Sequence, residues 1–109
     1  MPRMSGQAVA VAANQVTPNQ VAGQLYEFLP RRTTVLLAAT SSAVGINATL
    51  VIGGRVVVND SPISQANRFP IIPDDVVTQE VGGAGQRLIL TFRNTTGGAL
   101  TCNWSLDIA

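Results

Sequence analysis

Histidine and lysine are both absent from this 109-residue chain, and charged residues of any kind make up only 12% of it. The first absence removes the commonest general base and the commonest metal ligand. The second removes the phosphate-binding amine of a Walker loop. A single cysteine, Cys102, excludes an internal disulfide framework. Its place on the apolar side of an alternating stretch makes it a buried thiol that acts as a small hydrophobe. No run approaches the roughly 18 apolar residues of a membrane span. The start, MPRMSGQAVAVAANQ, lacks the compact apolar centre of a signal peptide, so the reading is a protein made and used without Sec export.

The scarcity of charge has a second consequence. Typical domains carry about 25% charged residues, whereas this one is 46% hydrophobic. A single domain of this size buries only a modest fraction of its surface by itself. A partner subunit is the simplest cover for the remainder. All seven cations are Arg, set against six acids for a net charge of +1. That balance does not point to nucleic acid. Arg favours planar, bidentate interface contacts, and a GC-rich genome is the plain alternative reason for it.

What is present is β structure. Residues 1–24 are rich in Ala, Val, Gln and Asn, punctuated by Pro2, Gly6, Pro18 and Gly23, and neither a helical nor a strand period persists. They read as an extended N-terminal arm that orders against a neighbour, with a frayed end as the alternative. In LYEFLPRR, the side chains of Tyr26, Phe28 and Leu29 anchor the arm before Pro30 stops any helix. TTVLLAAT (33–40) is apolar on both faces, so both are covered. INATLVIGGRVVVND carries the clearest local signal, two β-branched runs around Gly53-Gly54. It predicts a hairpin with strands near 47–52 and 55–59 and Val56–Val58 covered on both sides.

Residues 61–75 hold Pro62, Pro70 and Pro73 and read as a long loop, pinned by Ile63, Phe69, Ile71 and Ile72. VVTQEV, QRLILTFRN and ALTCNWSLDIA follow as three strands joined by the Gly turns at 82–85 and 95–98, a meander. The last alternates cleanly: Leu100, Cys102, Trp104, Leu106 and Ile108 against Thr101, Asn103, Ser105 and Asp107. Six or seven short strands without a helix predict an all-β sandwich over 25–109. Its core is Trp104, Phe92, Leu90, Leu100 and Leu106.

No motif assembles a reaction centre. Asp74-Asp75 lacks the regular acidic loop of a Ca²⁺ site, and loop capping explains it better. Arg31-Arg32 has no basic stripe around it and reads as strand-edge protection or an intersubunit ion pair. Gly82–Gly85 is followed by neither Lys-Ser/Thr nor a helix. The Asn-x-Ser/Thr triplets at Asn47, Asn59, Asn94 and Asn103 mean little without export. The reading is therefore not an enzyme, with no catalytic, cofactor or metal residues.

The arm 1–24, VIGGRVVVND and RLILTFRNTTGGALTCNWSLDIA together resemble small bacteriophage virion proteins: decoration, cement or minor coat subunits. The resemblance is one of style along the whole chain, with no residue role to transfer. It implies a jelly-roll-like sandwich that forms a homo-oligomer, trimer or higher, contacts other capsid proteins, and resides in the virion after assembly in the host cytoplasm. Small-molecule substrates, nucleic acid and membrane are not among its implied partners. A receptor- or carbohydrate-binding head of a tail fibre is the main alternative, and a periplasmic or surface β domain of a cell is a third.

Overall fold

The computed structural model describes residues 3–66, 68–71 and 74–108; Pro2, Ile72 and Pro73, read above as parts of the arm and the long loop, lie outside them. No helix occurs among the described residues. The strands are β1 (Arg3–Val11), β2 (Thr33–Ser41), β3 (Ile46–Ile52), β4 (Arg55–Pro62), β5 (Ser64–Gln65), β6 (Val76–Gly82), β7 (Leu88–Asn94) and β8 (Leu100–Ile108). They form two sheets. The first runs β1-β8-β2-β5, with β6 also on β2; the second runs β4-β3-β7. Their inner faces meet in one core built around Trp104, Phe92, Leu37, Leu50, Leu90 and Leu106. The molecule is an all-β two-sheet sandwich.

Period-2 burial explains most of the strands. Ile46, Ala48, Leu50 and Ile52 of β3 face Leu88, Leu90 and Phe92 of β7 within the same sheet, all buried. Gly53 and Gly54 both take positive φ, 58° and 83°. This is the backbone of a primed two-residue turn, whose twist matches that of its flanking strands. β2 is covered on both faces from Leu37 to Ser41, as its sequence implies, whereas Thr34 and Leu36 on its outer face stay half-buried. One face meets the core. Over the other, Arg68 accepts from the Thr40 hydroxyl through its carbonyl, and the Ala39 N–H donates to the Asp75 carbonyl. Arg68 and Asp75 thereby help to seal Ala38 and Thr40, both fully buried.

Residues 61–65, read as the start of the long loop, instead end β4 and form β5, because Pro62 sits at the end of an edge strand where no ladder donor is needed. Four further expectations need correction. First, residues 3–24 are extended but lie on their own sandwich. Strand β1 pairs with β8, and residues 15–20 line β7, with Thr17 and Gln20 N–H groups donating to Phe92 and Leu90 carbonyls. The strand period in β1 is masked by a bulge. Met4 and Gly6 oppose Leu106 and Trp104, whereas Val9 and Val11 oppose Cys102 and Leu100. One inserted residue, with Ala8 at φ 52°, switches the inward set from even to odd numbers.

Second, the last three strands are not a meander. β6 pairs with β2, β7 lies in the other sheet with β3, and β8 returns between β1 and β2. The two Gly turns arch across the core, so each strand's apolar face meets the opposite sheet instead of its sequence neighbour. Third, Val56 is exposed and Val57 half-buried, because β4 is an edge strand broken by register shifts against β3. Fourth, Leu100 is only partly buried; the other four core residues named above are buried.

Trp104 occupies the space that Gly6 leaves. A Cβ on Gly6 would sit 2.2 Å from the indole nitrogen. Trp104→Ala is expected to cost about 3–5 kcal/mol, and Gly6→Val to lower the melting temperature as well, because the indole has nowhere to move. Gly53→Val combines strained φ with a Gln86 contact at 2.5 Å and is expected to destabilise the hairpin. Thermal melts check all three; near-parental midpoints would refute this packing.

Candidate interaction site

Both ends of β6 matter for what the molecule presents to solvent. In β2, the Ala39 N–H points to the β6 side, reaching Asp75. By alternation Thr33, Val35 and Leu37 point the same way, toward their partners Gly82, Glu80 and Thr78. The backbone groups of Gln79 and Val81 therefore point outward. Arg55 agrees with this: its Nη2 donates to the Val81 carbonyl over 3.1 Å.

A cleft of about 640 Å³ opens where β2 and β6 pair, lined by Arg32, Thr34, Arg55, Gln79, Val81 and Gln86 among others. It is open, and its lining is polar and apolar in about equal parts. β6 supplies its floor, the β3–β4 turn supplies Arg55, and the residue just before β2 supplies Arg32. The Gly82–Gly85 turn closes one end, where the Gly83 N–H donates to the Gln86 side chain. This is a strand-to-strand turn with its amide already occupied.

The charges sort themselves almost completely. Arg3–Asp107, Arg68–Asp75, Arg87–Glu27 and Arg93–Asp60 are direct ion pairs, while Arg55–Glu80 is the loosest at 3.8 Å. Among the described residues, Arg31, Arg32 and Asp74 join no ion pair, and all three are exposed. Arg31-Arg32 and Asp74 stand just before β2 and β6, near opposite ends of the β6 edge.

Asp75, adjacent to Asp74, has a structural task. Burial pushes its carboxyl up, but the Ile71 N–H, the Ser64 hydroxyl and the Arg68 guanidinium outweigh this and hold it below the usual carboxylate range. It is committed to the 66–75 loop. Asn94 is likewise a pin: its amide donates to the Val11 and Gly98 carbonyls. Cys102 is fully buried, and burial pushes its thiol up to about 12. No cluster of three or more metal-ligating side chains occurs among the described residues.

The outer face of the β4-β3-β7 sheet is a second surface. Val51 opposes both Val56 and Ile89 across the strands. Val16 and Phe28 stand beside Arg93 and Arg87 and are 55% and 56% exposed. This row is apolar at its middle, with the Arg87–Glu27 and Arg93–Asp60 pairs near its ends. Sequence reading missed it, because Val16, Phe28 and Val56 were assigned to an arm, an anchor and a covered strand. The free β6 edge was equally invisible, since strand order is not a local property.

No protein-family model matches the chain, and neither does any curated protein or solved structure.

Two outcomes follow. Cys102 should resist a thiol reagent at pH 8 in the folded protein and react once denatured; fast labelling of native protein would show the β8 thiol to be accessible. Because Asp75 titrates lower folded than unfolded, its contribution is present above the ordinary carboxylate range near pH 4 and is lost as pH falls below it. Melting temperature should therefore drop below about pH 4, and drop less steeply in Asp75→Asn, which is already destabilised by about 1–3 kcal/mol at neutral pH.

Proposed function

We propose that this chain is a non-enzymatic structural subunit of a virion, built on a jelly-roll sandwich. The observation that carries the reading is strand order. When residues 15–20 are counted as the outer strand beside β7 and the two-residue β5 is set aside, the sheets become β1-β8-β2-β6 and (15–20)-β7-β3-β4. The first and last strands are then neighbours, and each later strand lies across the core from the one before it or hairpins onto it. We read this as the double Greek-key order of jelly rolls, an architecture found in viral capsid and lectin domains. The step from architecture to role is an analogy.

The surface supports the analogy. Ten charged residues are tied up in intramolecular pairs. An apolar row with charged ends faces solvent on the β4-β3-β7 sheet, which matches the anatomy of an interface: apolar centre, polar rim. A tail-fibre head that binds carbohydrate has less support. Sugar sites pair exposed aromatics with a polar cleft, whereas Trp104 is buried, no aromatic side chain lines the cleft, and the exposed Phe28 stands apart from it beside Arg87.

Light scattering and electron microscopy of the concentrated full-length chain, alone and mixed with preformed phage shells, test the proposal. A trimer or larger symmetric assembly, or stoichiometric attachment to shells, is the expected result. A chain that neither self-assembles nor attaches would overturn it. Removing residues 1–24 is not a usable control, because Met4, Val11 and Val21 belong to the core.

A further inference from the structure

We infer that β6 is a self-pairing edge: two copies of this chain join antiparallel along β6 about a two-fold axis at Gln79, with Asp74 of each copy meeting Arg32 of the other. The inference rests on the reading of the chain as a self-assembling subunit and names one contact of that assembly.

The sandwich has four edges, and three carry protection. β1 is bulged between Gly6 and Val9. β4 has two register shifts and a positive φ at Asp60. The 15–20 segment is short and holds Pro18. Such bulges, prolines and short lengths keep strand edges from pairing with other chains. β6 is different. Its one irregularity lies at its start, between its partners Leu37 and Ala38. From Thr78 to Gly82 it is regular and free of Pro and Lys, with the backbone groups of Gln79 and Val81 turned outward. The Arg55 side chain reaches only the Val81 carbonyl, which retains a second lone pair.

Charge sets the direction and register. Parallel pairing would leave each end opposite its own like charge. Antiparallel pairing carries the Asp74 end of one β6 to the Gly82–Gly83 end of the other, where Arg32 and Arg55 line the cleft. The exposed charges without an intramolecular partner are thus complementary across a two-fold. Centring the axis on Gln79 lets Gln79 exchange two backbone hydrogen bonds with its own copy and sets Glu80 opposite Thr78. Centring it one residue later would set Glu80 against Glu80, a disfavoured like-charge pair. Strand addition of this kind draws its affinity from main-chain hydrogen bonds. An isologous contact closes on itself, so it serves as one contact type within a larger symmetric assembly.

Sedimentation velocity on the full-length chain tests the edge. Gln79→Pro removes an outward N–H and no bond to β2, a position where an edge strand tolerates proline. It should keep its circular dichroism and melting profile while weakening self-association by at least about 10-fold. Arg32→Glu and Asp74→Arg should each weaken association, and the two combined should restore it. These exposed charge changes decide the matter even if Gln79→Pro misfolds. In the parent, amide exchange at Gln79 and Val81 should slow as concentration rises. Parental association in folded Gln79→Pro, or no recovery in the combined charge variant, overturns the inference while leaving the assembly reading intact. A parent that stays monomeric at about 1 mM overturns it too, whereas attachment to shells would still uphold the virion reading.

Discussion

The contact between Trp104 and Gly6 organises the first sheet. β8 lies between β1 and β2 and carries the largest side chain of the core. That side chain fits only because the residue opposite it in β1 has none. The pairing fixes the register of β1, and the bulge that follows turns Val9 and Val11 back to the core. The indole N–H finds no acceptor there. Leaving such a group unpaired costs free energy comparable to a lost hydrogen bond, so the surrounding packing must outweigh it. The arrangement makes the N-terminal residues part of the fold rather than an appendage to it.

From β1 the chain crosses to the other sheet, lines β7 through residues 15–20, and returns at Leu29, whose N–H and carbonyl bond to Gln86 and Gly85. One side of the sandwich is closed by this path. On the opposite side the edges are β4 and β6, joined mainly by Arg55 reaching from one sheet to the other. The asymmetry follows from composition. Ala, Gln and small polar residues in the first 24 positions let the chain lie flat along two edges. The β-branched run of β6, without a following segment to cover it, leaves a row of backbone groups facing solvent.

Legibility in the sequence divides along the same line. Features set by neighbours in the chain were readable: the Gly53-Gly54 hairpin, the alternation of β7 and β8, the two-sided cover of β2, and Trp104 as core. Features set by distant pairing were not. The bulge at Ala8 breaks the period-2 pattern that would have marked β1 as a strand. The Gly turns at 82–85 and 95–98 look the same whether they join neighbours in one sheet or arch between two. That Arg31, Arg32 and Asp74 are left without an ion pair was not readable either, because Asp74 looked like half of an acidic pair. Only the fold separates Asp74 from Asp75, by burying one and leaving the other in solvent.

That separation bears on how so sparsely charged a surface can still be specific. Exposed ion pairs contribute little to stability, at most about 1 kcal/mol each, so the intramolecular pairs do not explain the fold. Their effect is to neutralise most of the surface. Against a neutral background, the few charges without partners carry the long-range electrostatic information for association, and complementarity of this kind governs orientation and encounter more than affinity. Arg31, Arg32 and Asp74 flank the one strand edge without a bulge or proline along most of its length. Backbone hydrogen bonding at that edge is indifferent to sequence, so in the self-pairing proposed above the charges at its two ends are what would select the antiparallel direction and the register. The apolar row on the other sheet points a different way and leaves room for a second, independent contact.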